Sequence, residues 1–97
     1  MKPYSVDINK WAQFSPEVQL GHIKAELSRA TRAGLRGDSE LERGAYYRAI
    51  ALLDATIALR EEEEATRLRM YRDALAALLG GGEYAAVSRV LFDSIAR

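Results

Sequence analysis

Apolar residues recur every three or four positions along most of this chain, a spacing typical of amphipathic helices. The first such stripe consists of Leu20, Ile23, Leu27 and Ala30. Ser15 and Pro16 stand just before it and favour a helix start, because Ser caps free backbone amides and Pro fits the first helical position. We therefore predict a first helix over residues 16–33 that ends near Gly34 as a left-handed cap.

The second stripe is longer and more apolar, and it predicts a helix that continues through residues 45–59. The residues expected to face the core are Tyr46, Ala49, Ile50, Leu53 and Ile57. Residues 37–39 form a predicted turn before it. Ser39 and Glu42 have the spacing of a capping box, which would open this second helix.

The end of the second helix leaves two interpretations, because no Gly or Pro occurs between Leu59 and Thr66. One is a single helix of about 40 residues, which is uncommon in globular proteins. The other is a tight turn at residues 60–62, which places the acidic run Glu61–Glu64 at the positive N-terminus of a third helix. We favour the turn.

The rest of the chain shows two further stripes and no strand-like alternation. The third stripe is Leu68, Tyr71, Leu75, Leu78 and Leu79, and the fourth is Tyr84, Val87, Leu91 and Ile95. Residues 80–82 are all Gly and end the third helix. The sequence thus predicts an all-α fold, an antiparallel four-helix bundle domain over residues 15–97 with an extended N-terminal arm at residues 1–14. A helical-repeat array is the alternative, since residues 44–58 echo residues 82–96, but two partial matches fall short of the roughly three repeats that such arrays need.

Trp11 and Phe14 lie directly before the predicted cap at Ser15. We expect both rings to be buried as a hydrophobic plug against the end of the bundle, where they would order residues 9–15. His22 is the only His, and it falls on the flank of the first stripe. We expect it to bind Glu26, one turn further on, or solvent.

Composition narrows the classes of protein. Apolar residues make up 48% of the chain, which is ordinary for a soluble globular protein, and no apolar segment approaches the roughly 20 residues of a membrane span. The chain has no Cys and no apolar N-terminal run typical of a signal peptide, and both features favour a cytoplasmic protein. The formal net charge is zero, so we expect no membrane binding.

Residues that could carry reaction chemistry do not form a recognisable set. A metal site needs three or four ligands, and the chain offers one His and no Cys. Residues 80–82 lack the Lys that follows the glycines of a phosphate loop. We therefore predict a protein that is not an enzyme, with no catalytic residue, no metal and no cofactor.

A basic cluster occupies the second half of the first helix. It comprises Lys24, Arg29, Arg32 and Arg36, the candidate phosphate contacts. With Glu26 these residues give a net charge of +3 over thirteen positions. Nucleic-acid binders usually show a stronger excess with interleaved aromatic residues, and cations at a helix C-terminus also complement the dipole. We therefore do not expect nucleic-acid binding, and we keep it as the alternative function.

The second helix is apolar over a wider arc than one side of a monomeric bundle requires. The residues expected to meet a second copy of the chain are Tyr47, Ala51, Leu52, Ala55 and Leu59. Small residues allow a second helix to approach closely, and two-fold dimers are the commonest oligomers. The sequence thus predicts a homodimer. The alternative is that the alanines are helix formers on a solvated face.

The chain also resembles a group of short bacterial helical proteins without an assigned activity. The resemblance is carried by Trp11-Ala12-x-Phe14-Ser15, Gln19-Leu20-Gly21-x-Ile23-x-x-Glu26-x-x-Arg29-Ala30, Arg48-Ala49-x-x-Leu52-Leu53-Asp54-x-Thr56-Ile57, Arg67-Leu68 and Gly81-Gly82-x-Tyr84. It departs at residues 60–64, where those proteins have a turn with Pro. The resemblance implies the helical fold and a bacterial cytoplasmic setting. A more distant similarity, at the level of fold, is to helical proteins that partner small nucleotidyltransferases. The function we expect is therefore that of a non-catalytic helical interaction or assembly protein.

Overall fold

The computed structural model describes residues 4–79, which form four helices and no strand. The helices are α1 (Ile8–Trp11), α2 (Pro16–Leu35), α3 (Ser39–Ile57) and α4 (Glu62–Leu79). The prediction of an all-α fold is confirmed over this part of the chain. The predicted stop at residues 80–82 and the predicted fourth helix at residues 84–95 lie outside the described residues.

The start of α2 is as predicted, and its end is not. The Ser15 hydroxyl accepts a hydrogen bond from the Val18 amide at 3.2 Å, and Pro16 is the first helical residue. The helix continues past Gly34, and the left-handed residue is Gly37, with φ of 75°. The Asp38 amide then donates to the Ala33 carbonyl at 2.9 Å, which closes a Schellman motif.

Gly34 lies inside α2 and is not the left-handed cap that was predicted. A Cβ atom at this position would overlap the carboxylate of Glu42 on α3, so the missing side chain leaves room for the end of that Glu. Because the overlapping atoms are the far end of a flexible side chain, this contact does not by itself require Gly.

The prediction for the start of α3 is wrong, and the prediction for the turn after its end is correct. The cap residue is Asp38, whose carboxylate accepts from the Leu41 amide at 3.1 Å, whereas Ser39 is already helical. The α3 helix ends at Ile57, and α4 begins at Glu62. The predicted turn is therefore confirmed, and three Glu residues occupy the first turn of α4, at the positive end of its dipole.

The segment before Ser15 differs from an extended arm because it contains the one-turn helix α1. The Asp7 carboxylate accepts hydrogen bonds from the amides of Asn9 and Lys10, at 3.1 and 3.3 Å, and so caps α1. A four-residue helix has too few hydrogen bonds to be stable alone. Its stability must therefore come from packing against the rest of the chain.

The central helix is α3, which packs against α1, α2 and α4. Its buried residues cover about half of the helical wheel: Ala45, Tyr46, Ala49, Leu52, Leu53, Ala55 and Thr56. They meet Ile23 and Leu27 from α2 and Leu68 and Leu75 from α4 in one core. Within residues 4–79 no helix is both long and apolar enough to cross a membrane.

Candidate functional site

Trp11 joins α1 to α3 through a buried hydrogen bond. Its side chain is 5% exposed, and its Nε1 donates to the Thr56 hydroxyl at 3.0 Å. The Thr56 hydroxyl in turn donates to the Leu52 carbonyl at 2.7 Å, so this fully buried polar group is satisfied on both sides. The predicted burial of Trp11 is confirmed.

Gln19 extends this buried polar contact to the turn between α3 and α4. Its Nε2 donates to the Trp11 carbonyl at 2.8 Å, and its Oε1 accepts from Nη2 of Arg60. The Arg60 Nε is buried without a hydrogen bond from the described residues, although a Glu64 carboxylate oxygen lies 3.6 Å away. Sequence analysis missed this role, although Gln19 stands on the apolar stripe, four positions before Ile23.

Glu26 joins α2 to α3 through a second, partly buried contact. Its carboxylate is 12% exposed and accepts from Arg48 Nε at 2.9 Å and from Arg29 Nη1 at 2.7 Å. His22 was expected to bind this carboxylate or solvent. Its side chain is exposed, and its ring lies against the rings of Trp11 and Phe14, with centroid distances of 5.7 and 5.3 Å.

These elements border a cleft of about 300 Å³ between α1, the residues before it and the middle of α2. We call it the amino-terminal cleft, and it is lined by Tyr4, Ser5, Val6, Asp7, Lys10, Trp11, Phe14, His22, Glu26, Arg29 and Leu52. Its volume is near the lower limit of small-molecule sites. The lining combines aromatic rings with two cations and two carboxylates. Both carboxylates have structural roles, because Asp7 caps α1 and Glu26 joins α2 to α3.

The aromatic residues of the cleft differ in exposure. Trp11 is buried, whereas Tyr4 is 50% exposed and Phe14 is 44% exposed. The prediction that Phe14 is buried with Trp11 is therefore wrong. Phe14 does contact Trp11 edge to face, at a centroid distance of 5.8 Å, and it also lines the cleft.

Three of the four candidate phosphate contacts share one side of α2. Arg29, Arg32 and Arg36 are spaced by three and four residues, and all three are exposed. We call them the basic side of α2. Lys24 lies on a different part of the helix and is half-buried. The basic side begins at the amino-terminal cleft, because Arg29 lines it.

The arginines of α4 are arranged differently, because each is paired with an acid. Arg69 contacts Glu62 at 2.7 Å, and Arg67 lies 3.9 Å from Glu64. Arg72 contacts both Asp54 and Asp73, at 2.7 and 2.9 Å. The hydrogen bond to Asp54, followed by that to Asp73, raises the pKa of Arg72 above its ordinary value.

The predicted interface residues fall into two groups. Leu52 and Ala55 are buried within the chain, where Leu52 lies under α1 at the floor of the cleft. Tyr47 is 54% exposed and Leu59 37% exposed, and Ala51 is half-buried. Part of the wide apolar arc of α3 is thus covered by the chain's own N-terminal segment.

A second, larger cleft lies beside the α3–α4 turn and has a volume of about 790 Å³. It is lined by Pro16, Leu59, Arg60, Glu61, Glu63, Glu64 and Arg67. Its acidic residues do not converge, and among residues 4–79 no group of three His, Asp or Glu side chains is placed to hold a metal ion.

Comparisons with protein-family models, with curated proteins and with solved structures give no match to this chain.

Proposed function

We propose that this chain is a small, non-catalytic helical interaction protein that self-associates as a homodimer through the outer side of α3. The observation that carries the proposal is the position of Tyr47. Its ring is 54% exposed in the middle of the central helix, on the side turned away from the core. An exposed Tyr presents a large apolar area with one polar tip, which is typical of interface anchors.

The surroundings of Tyr47 suit the close approach of a second helix. Gly44, Ala51 and Ala58 lie on the same side of α3 and have little or no side chain. The carboxylate of Asp54 on this side is bound by Arg72 of α4, so its charge is already partly compensated. In the dimer, Tyr47 would pack over the small residues of the partner helix, and Leu59 would lie at the rim.

The non-catalytic part of the proposal is supported by what the polar side chains do. Thr56, Gln19 and Glu26 are the buried or nearly buried polar groups that meet around α1, and each is engaged in holding two helices together. The ring of His22 is packed against Phe14 and Trp11.

The proposal includes the arrangement and setting expected from the sequence. We place α2, α3 and α4 as antiparallel neighbours in a bundle with an N-terminal arm, because residues 36–38 and 58–61 are connections short enough to reverse the chain. The absence of Cys supports a cytoplasmic location. The resemblance to short bacterial proteins supports a bacterial source.

The test is the mass of the protein in solution, measured by light scattering after size-exclusion chromatography over a range of micromolar concentrations. We expect twice the chain mass of 10.8 kDa for the natural protein and a single chain mass for Tyr47→Asp. The matched control is Met70→Asp, which introduces the same charge at a residue that is 68% exposed on α4. A concentration-independent mass of one chain for the natural protein would refute the dimer.

A further inference from the structure

We propose that the amino-terminal cleft and the basic side of α2 together bind a single-stranded nucleic acid. The exposed rings of the cleft would stack on bases, and the cations beside them would contact phosphates. The sequence led to the opposite expectation, because the basic cluster carries only a small excess of charge and has no aromatic residues interleaved with it. The folded structure supplies what the sequence pattern lacks. Aromatic rings and Lys10 line the same cleft as Arg29, the first residue of the basic side.

The rings form the first half of the surface. Tyr4 and Phe14 are each about half exposed, and His22 is exposed beside Phe14 with a centroid distance of 5.3 Å. All three line the same cleft. Stacking of a base on an aromatic side chain contributes about 1–3 kcal/mol and tolerates any base.

The cations form the second half. Arg32 and Arg36 are exposed, and no ion pair formed within residues 4–79 involves them or Lys10. Arg29 is paired with Glu26, but its side chain is 60% exposed and keeps donors that face outward. Arg69 and Arg72 on α4, by contrast, form ion pairs with acidic residues of the same molecule. Two neighbouring cations of the basic side of α2 and Lys10 at the cleft are therefore available to bind an anion.

The dimensions favour a single strand over a duplex. Arg29 and Arg36 are seven residues apart, which is about 10 Å along a helix. With the cleft, this path accommodates about four nucleotides, near the lower end of the site sizes of about 4–16 nucleotides known for single-strand binding modules. A duplex hides the faces of its bases in the stack, so the rings of the cleft would have nothing to contact.

The experiment uses the full chain and a fluorescently labelled oligothymidine of about 12 nucleotides, with binding measured by anisotropy. For about three phosphates neutralised, we expect the affinity to fall about twentyfold between roughly 50 and 200 mM salt. The sole Trp provides a second readout, because Trp11 lies at the cleft wall and its emission should change when a base stacks nearby.

Matched variants separate this surface from general charge effects. Arg32→Ala with Arg36→Ala should weaken binding about tenfold or more and flatten the salt dependence. The control pair, Arg67→Ala with Arg69→Ala on α4, changes the net charge equally and should leave the affinity within about twofold. Phe14→Ala should also weaken binding about tenfold, because it removes a stacking partner without a change of charge.

Several outcomes would overturn the proposal: no binding at low salt, equal losses in the two double-arginine variants, or equal affinity for a duplex of the same length. Equal affinity for free thymidine monophosphate and the oligonucleotide would also overturn it, because the cleft would then be a mononucleotide site only. Tyr47→Asp leaves this surface intact and should bind normally, so failure of the dimer and failure of nucleic-acid binding are distinguishable.

Discussion

The helices α1, α2 and α4 all pack against α3. The border of α3 with α1 and α2, called here the α2 border, and its border with α4 differ in the burial of their polar contacts. On the α2 side, Gln19 is 2% exposed and the Glu26 carboxylate 12% exposed. On the α4 side, the contact between Arg72 and Asp54 joins side chains that are 30% and 51% exposed. Buried polar groups are expensive to leave unpaired, whereas exposed ion pairs exchange readily with water and salt. Buried polar contacts therefore contribute to the stability of the α2 border, whereas the α4 border depends mainly on apolar packing.

The strongest way to break the α2 border is Trp11→Ala. The change removes a nearly buried ring and leaves the Thr56 hydroxyl with one partner fewer, so we expect a loss of about 3–5 kcal/mol in the free energy of unfolding. Urea unfolding followed by circular dichroism measures it. Phe14→Ala is the control, with an expected loss of about 1 kcal/mol or less, because this ring is 44% exposed. Equal losses would contradict the different burial of the two rings.

The second change is Gln19→Leu, which keeps the side-chain size and removes both hydrogen bonds. The Trp11 carbonyl and the Arg60 guanidinium would each lose a partner in a buried place, and we expect a loss of about 1–3 kcal/mol. Gln13→Leu serves as the comparison, because Gln13 is exposed and the same substitution there should stay within about 0.5 kcal/mol. A stabilised Gln19→Leu protein would mean that the amide contacts add nothing to the fold.

Glu26→Gln should have a smaller effect. It retains an acceptor for Arg48 and removes the charge from a partly buried carboxylate, so we expect a loss of about 1–2 kcal/mol. The same unfolding assay decides this, with Glu17→Gln as the control, because Glu17 is exposed in the first turn of α2. A loss no larger than that of the control would remove the distinction between the two borders.

The smallest effect is expected at the α4 border, from Arg72→Met. We expect a loss below about 1 kcal/mol that disappears at about 1 M salt, because the ion pairs of Arg72 are exposed. A group whose pKa is raised on folding stabilises the fold below its ordinary pKa and loses this effect only as pH rises through the raised value. The contribution from Arg72 titration should therefore be constant across about pH 5–9. A loss that persists at high salt would mean that the contact of Arg72, like that of Glu26, is shielded from solvent.

The sequence predicted the elements better than the contacts between them. Ser15 and the turn after Ile57 could be located because capping chemistry and dipole complementarity are local. The left-handed cap of α2 was misplaced by three residues, at Gly34 instead of Gly37, since the local sequence makes the two glycines equally permissive.

The candidate site was mostly beyond prediction for the same reason. The basic side of α2 follows from helical spacing, but Tyr4, Lys10 and Phe14 reach it only because the chain folds back before Ser15. The interface expected at Leu52 and Ala55 rested on the wide apolar arc of α3, but both residues are buried within the chain. Leu52 lines the amino-terminal cleft together with Trp11 of α1, so the fold itself covers part of that arc.

The docking of α1 also has a consequence for the order of folding. Trp11 and Thr56 are 45 residues apart in the chain, whereas the contacts between α2 and α3 near their connecting turn join close neighbours in sequence. Distant contacts form late, because the entropy of closing the intervening loop is lost before the contact stabilises anything. We expect helix formation by far-ultraviolet circular dichroism to precede the burial of Trp11 seen by fluorescence in refolding. A single rate shared by both signals would mean that α1 docks in the same step that assembles the three longer helices.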